Sequence, residues 1–512
     1  MDRRKTILNI SVSVIFKIII LVVSIFNRIF LIKYIGNDVN GLNSLYASII
    51  GFLSVAELGI GGAISFSMYK PIVEHNTAKV NALYVLYKKL YLLIGIIILL
   101  AGGAIMPFLP KLVADYELLN VDLYLSFFFL LLSVVLSYGF SAEVSLINAY
   151  KNNYITTSIN SSCRIICLAI QMIAARVFRS FTIFLLCEII TVIIEWSIVQ
   201  IYARKNHMDV MRGRNTVDAE SKREIVKNIK AMFFHRIGGV LVNATDSTII
   251  SAFLGVVLLG KYSNYTIIMS AVVGIIRLFF TPLTSVIGHM FVESSVEKSK
   301  RIYRFFYCCN VMIGVIFFLG YYAVVDDFIT ICFGDELKLA KSISAVITIN
   351  QFVQFLRQST LLFRDATGTF YYDRWKPIME GIANIILSVT FVLVFPEDYK
   401  IVGVIAATVI TNLFICHVIE PYVIYKHVFK ERPINHYLKN YLYIGLFAIS
   451  VFLLDDIMIS NQDPWIELLA NGLISVAVST VFCILVFVLE KDFRGQMVSY
   501  LRLLKKKIKH SV

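Results

Sequence analysis

Fourteen apolar runs, each of eighteen residues or more, divide the chain near 8–34, 41–69, 85–108, 122–148, 154–177, 180–202, 231–254, 262–291, 302–325, 340–363, 377–395, 401–424, 438–455 and 466–489. Runs of this length restrict the fold severely. A bilayer core of ~30 Å is crossed by ~20 helical residues, and lipid offers the backbone no hydrogen-bonding partner, so each run must satisfy its own N–H and C=O groups. The expected fold class is an all-α polytopic membrane protein of about fourteen transmembrane helices. With 58% hydrophobic and only 16% charged residues, the 512-residue chain has little from which to build a soluble domain. The opening "MDRRKTILNISVSVIFKIIILVV" is too long in its apolar part for a signal peptide and reads as an uncleaved first span.

The net charge of +14 gains meaning from its placement. Most Lys and Arg fall in the N-terminus, the loops that follow even-numbered spans, and the C-terminal tail. The opposite loops are short and acidic, as in "VVDDF" (324–328), "PEDYK" (396–400) and "LLDDIMISNQDPW" (453–465). The positive-inside rule then puts both termini in the cytoplasm, and an even number of spans agrees with that. The basic excess is a topology signal, and no nucleic-acid partner is expected.

Residues 203–230 form the one long polar segment between spans. The expected organisation is an N-lobe at 1–202, a basic cytoplasmic linker at 203–230, a C-lobe at 231–424, two further spans within 425–489, and a basic amphipathic tail at 490–512. In the tail, Leu501, Leu503, Leu504 and Ile508 alternate with clustered Lys, a pattern suited to anionic lipid. The two lobes repeat with an offset of 219 residues. Residues 35–46, "IGNDVNGLNSLY", and 254–265, "LGVVLLGKYSNY", share G-x4-G-x4-Y, and the same offset pairs Lys17 with Arg236, Ser24 with Asn243 and Arg28 with Ser247. Six spans plus a linker per repeat keep the two halves in the same orientation.

Charged groups at lipid depth cost ~2.5–3.5 kcal/mol each on insertion scales and mark pathways or pairs. Here they are Lys17, Arg28, Glu57, Arg164, Arg236, Asp246 and Arg277, with Glu143, Glu188, Glu195 and Glu420 besides. Lys17 and Arg28 stand eleven residues apart, three helical turns plus about 20°, so they share a stripe with Ser24. Arg236, Asn243 and Ser247 repeat that stripe. A polar cavity between the halves is the expected destination, with Lys17, Arg28, Arg164, Arg236 and Arg277 as substrate-binding cations. Glu57 and Asp246 are expected as coupling groups or as members of ion pairs. Glu57 aligns beside Arg277, and the "GIGG" that follows it (59–62) aligns next to Pro282, so a weak point is expected at one depth in both halves. Lys17, Glu143 and Glu420 lie near enough to span ends to snorkel.

No catalytic constellation, P-loop or metal spacing is present, and no cofactor or enzymatic activity is expected. The eight cysteines lie mostly inside spans and form no disulfide framework.

The opening third, with "GLNSLY" followed by "AELGIGGAI", resembles the polysaccharide-transporter, Wzx-like branch of the MOP superfamily. The resemblance implies a flippase that moves undecaprenyl-diphosphate-linked oligosaccharide across the bacterial plasma membrane by alternating access, for surface polysaccharides such as capsule. It implies membrane lipids, a glycan polymerase and glycosyltransferases as further partners. Related lipid II flippases line their cavity with arginines, and Arg28 and Arg277 best match that pattern. Two alternatives stand beside this reading. A multidrug or cation antiporter of the same superfamily would favour acidic cavity residues. A membrane-embedded glycan polymerase or transferase would need a substantial outer loop.

Overall fold

The computed structural model describes all residues except 1–2, 58–59, 115, 214, 219–221, 224–244, 281–286, 288–289, 291–294 and 500–512. Every regular element among the described residues is helical. The chain divides into two compact units, Met1–Ser263 and Asn264–Val512.

The first unit holds α1 (Arg3–Tyr34), α2 (Asn37–Leu53), α3 (Ile60–Val73), α4 (Thr77–Ile105), the short α5 (Leu109–Leu112), α6 (Leu123–Tyr138), α7 (Ser141–Ala149), α8 (Asn153–Phe178) and α9 (Phe181–Arg212). A helical stretch at 245–254 and the first turns of α10 (Val256–Phe280) complete it. Helix α1 runs along α8, which packs on α9, while α4 and α6 contact each other and α9. The second unit contains α11 (Val296–Phe333), α12 (Lys341–Thr367), α13 (Lys376–Val394), α14 (Lys400–Thr411), α15 (His417–Ile424), α16 (Ile434–Ile457) and α17 (Pro464–Leu489). There α11 packs against α12 and α17, and α13 against α14.

Eleven helical stretches among the described residues are long and apolar enough to cross a membrane. Of the other three expected spans, two have counterparts and the third is described only in part. Run 340–363 is α12, too rich in Asn, Gln and Arg to register as apolar. Run 231–254 is described only from 245. Run 41–69 is two helices rather than one: α2 ends in a 3-10 turn, Ser54–Glu57, before α3 begins at Ile60. The chain is a multi-pass α-helical membrane protein with about the expected number of helices.

The 219-residue repeat extends through the backbone. Asn37 and Val256 open α2 and α10, Thr77 and Val296 open α4 and α11, and Phe181 and Lys400 open α9 and α14, each pair 219 residues apart. Gly36 and Gly255, the same distance apart, both take positive φ, +145° and +87°, and each turns the chain from one helix into the next. The two G-x4-G blocks also meet. A Cβ on Gly41 would lie 1.8 Å from the carbonyl oxygen of Val256, and one on Gly260 would lie 2.3 Å from that of Asn37. These two contacts exchange under the repeat. Asn37 Nδ2 donates to Val257 O at 2.9 Å and Asn40 Nδ2 to Gly260 O at 3.2 Å, tying the crossing together. Because backbone, not a yielding side chain, stands opposite each glycine, Gly41→Ala and Gly260→Ala are each expected to destabilise by about 1–3 kcal/mol. Thermal unfolding of the purified variants measures this, and an unchanged midpoint would refute the close crossing.

The third repeated residue behaves the same way. Tyr46 donates its hydroxyl to Leu123 O at 2.9 Å, at the start of α6. Tyr265 donates to Asp326 at 2.7 Å and accepts from the Leu339 N–H at 3.1 Å, beside the start of α12. Both rings are fully buried. One expectation is corrected here: "VVDDF" is not an outer loop. Helix α11 continues to Phe333, and Asp326 and Asp327 are 8% and 4% exposed. Hydropathy ends the span at the first acid, but Asp326 remains helical because Tyr265 and Lys341, the latter at 2.9 Å, neutralise and bind it.

Candidate functional site

Helix α1 is unbroken from Arg3 to Tyr34, so Lys17, Ser24 and Arg28 do lie on one stripe. Lys17 is exposed on the chain and Arg28 is half-buried. Asn27, one residue before Arg28, anchors the helix by donating to Leu168 O of α8 at 3.0 Å. That bond sets the rotation of α1 and sends Arg28 toward the first turns of α10. There its Nη1 donates to the Ser263 hydroxyl at 3.0 Å, and Asn40 Nδ2 lies 3.3 Å from the same oxygen. Ser263 in turn donates to Gly260 O at 2.9 Å. The glycine crossing thus carries a guanidinium, a carboxamide and a hydroxyl at one point. Asp246, 8% exposed, lies close to Tyr262 beside it.

Glu57 ends the 3-10 turn between α2 and α3. Tyr138 of α6 hydrogen-bonds with both Glu57 and Ser54, and Tyr91 of α4 is a further neighbour. A helix break at lipid depth survives only where protein groups replace the missing backbone partners. The carboxylate stands just ahead of the α3 N-terminus, where the helix dipole favours negative charge. Arg277 lies on α10 with an exposed side chain. Arg236 and Pro282 lie outside the described residues.

Other deep charges are matched within their own unit. Arg164 of α8 reaches Glu188 of α9 at 3.2 Å. Glu195 accepts from Asn160 at 2.9 Å. Glu143 does not snorkel: it is fully buried and accepts from Tyr84 at 2.7 Å and Gln200 at 2.8 Å, with Lys88 at 3.8 Å. Glu420 does not snorkel either. Helix continues past it through a π turn to Phe429, and its carboxylate binds Arg357 of α12 at 2.7 Å and Lys376 of α13 at 2.6 Å. Glu380, one turn beyond Lys376, completes a quartet with Arg357 at 3.3 Å, and Asn412 hydrogen-bonds the same guanidinium. The side chains of all four charged residues are at most 13% exposed. Sequence reading missed this quartet. Arg357, mid-way through run 340–363, and the i,i+4 pair Lys376/Glu380 were the available signals.

Among the described residues no group of three or more His, Cys, Asp and Glu side chains is placed to hold a metal ion. What the arrangement around Ser263 supplies is a guanidinium and a carboxamide as hydrogen-bond donors.

No protein-family model and no curated protein matches the sequence. Solved structures do. The lipid II flippase MurJ in its inward closed conformation superposes with a TM-score of 0.64 at 14% identity, covering 92% of this chain and 98% of that one. An inward-facing multidrug resistance MATE family transporter of the MOP superfamily gives 0.55 at 11% identity, covering 86% and 98%. A mutant MATE transporter from Vibrio cholerae gives 0.50 at 11% identity, covering 83% and 100%. The chain therefore shares its fold with the lipid II flippase MurJ and these MATE transporters.

Proposed function

We propose that this chain, with the fold shared by the lipid II flippase and the MATE transporters, is a flippase for undecaprenyl-diphosphate-linked oligosaccharide. It would work by alternating access in a bacterial plasma membrane. One observation carries the reading: Arg28, at lipid depth, presents a guanidinium at the crossing of the two repeats, held there by the Ser263 hydroxyl. A diphosphate leaving water needs its charge neutralised and its oxygens bound, and a guanidinium does both with a planar fork that stays charged. Lys17, on the same stripe, and Arg236 and Arg277 are proposed as the accompanying cations. Arg164 belongs to the same set and shares its charge with Glu188. The sugars require a wet path, and the prenyl tail stays in lipid. Transport of a fluorescent lipid-linked oligosaccharide by purified protein in vesicles tests the activity. A rate equal to protein-free vesicles refutes it.

The lobes proposed at 1–202 and 231–424, with the linker at 203–230, the added spans at 425–489 and the tail at 490–512, would put both termini in the cytoplasm. Cysteines placed at the exposed Asp335, Asp398 and Asp463 are expected to react with an impermeant thiol reagent from outside intact cells, and cysteines at Lys151 and Glu431 only after lysis. The reverse pattern would invert the topology.

Glu57 is proposed as a coupling group, with Asp246 as its counterpart beside Tyr262. Glu57→Gln keeps a hydrogen bond with Tyr138 but fixes the neutral state. The expected outcome is transport that no longer responds to a pH gradient, with an unchanged unfolding midpoint. A retained pH response together with a lowered midpoint would make Glu57 a structural residue instead.

A further inference from the structure

A cavity of about 370 Å³ opens in the first unit where α4 meets α9, and none of its lining residues belongs to the Arg28 crossing. Its walls carry Lys88 and Lys89 from α4 and Arg204 and Arg212 from α9, with the polar groups of Tyr84 and Gln200 at the back. Four cations thus converge on one concavity. Among the described residues only Lys88 is answered by an acid: Glu143, buried behind Tyr84 and Gln200, lies 3.8 Å away and fixes both of those side chains by hydrogen bonds. Lys89, Arg204 and Arg212 make no ion pair among the described residues. The other acid on this part of α9, Asp209, is exposed and is not among the residues that line the cavity. Among the described residues that line the cavity, the charge balance is positive.

The depth of the cavity follows from the sequence. The uninterrupted apolar part of α4 begins at Leu90, after Lys88 and Lys89 near the start of run 85–108, and that of α9 ends at Ala203, before Arg204. The two helices run in opposite directions, so these boundaries fall together, at the level where a bilayer changes from acyl chains to headgroups. Met208 and Met211 add adaptable apolar wall beside the cations. A solute anion has no use for that wall; a phosphate carried on acyl chains does.

We propose that this cavity binds the phosphate headgroup of an anionic phospholipid of the surrounding leaflet, with Lys89, Arg204 and Arg212 contacting the phosphate and Tyr84 and Gln200 the polar groups beside it. The site is separate from the proposed transport path, and its test does not depend on transport. Arginine clusters at the headgroup level attract anionic lipid at about a factor of five per cation.

The test measures binding of phosphatidylglycerol and phosphatidylcholine to the purified full-length protein in detergent by native mass spectrometry. Wild type is expected to retain phosphatidylglycerol selectively. The K89Q/R204Q double variant, both positions exposed and tolerant of Gln, is expected to bind it about thirtyfold more weakly. K79Q/K205Q removes two exposed cations from the same helices outside the cavity and is expected to bind as wild type. Equal loss in both double variants would mean diffuse surface attraction and overturn the site, as would no loss in K89Q/R204Q. Free pyrophosphate and glycerol 3-phosphate are expected not to displace the lipid. Displacement at matching concentration would make this a site for soluble anions and overturn the lipid assignment.

Discussion

Arg357→Ala is expected to destabilise the protein by about 3–5 kcal/mol, enough to remove most of the folded protein from the membrane. The reason is what the substitution leaves behind. Arg357 and Lys376 together balance Glu380 and Glu420, and Asn412 binds the guanidinium from the start of a π turn. Without Arg357, two carboxylates share one ammonium in a place where neither reaches water. Three helices, α12, α13 and α15, lose their common fastening at once. A second variant separates this cause from simple loss of volume. Arg357→Met with Glu420→Met removes one charge of each sign and leaves the Lys376/Glu380 pair at 3.3 Å, so most of the stability should return. Yield and unfolding midpoint of the two purified proteins measure the difference. If the single variant unfolds where wild type does, the quartet carries no structural load; if the double variant is as unstable as the single, the loss arises from packing and not from charge.

The quartet also shows where reading the chain stopped. Helix number, approximate span positions and the 219-residue repeat were legible, because lipid forces long apolar helices and because Gly36/Gly255, Gly41/Gly260 and Tyr46/Tyr265 must do the same backbone and hydroxyl work in both halves. What hydropathy could not see was pairing. Hydropathy breaks at charge, so Asp326 reads as loop, Lys376 falls just outside run 377–395 and Glu420 near a span end, whereas each lies in or against a continuing helix beside a partner from another one. Pair formation is tertiary, and a charge cancelled by a residue 44 positions away, as Glu420 is by Lys376, leaves no local mark. The break at Glu57 was half legible. "GIGG" announced weakness, but the tyrosines that make a carboxylate tolerable there come from α4 and α6.

Arg28→Ala is expected to behave in the opposite way to Arg357→Ala, abolishing transport while leaving the unfolding midpoint close to that of wild type. Its guanidinium donates to the Ser263 hydroxyl, and that hydroxyl keeps its own acceptor in Gly260 O at 2.9 Å when the arginine is gone. Truncation therefore leaves this group satisfied. The glycine crossing beneath it is held by Asn37 and Asn40, which the substitution does not touch. On the substrate side the loss is larger, since a charge-assisted hydrogen bond to phosphate is worth about 1.5–3 kcal/mol, or between about tenfold and more than a hundredfold in affinity. Arg28→Lys restores the charge but not the planar fork, so partial recovery is expected. Arg277→Ala should lower transport in the same sense, and the combined variant should be inactive. Rates from vesicles, normalised to folded protein, decide the matter. Wild-type rates in both alanine variants would remove the diphosphate from the proposal. A fall in rate matched by an equal fall in stability would make Arg28 another fastening of the fold, like Arg357.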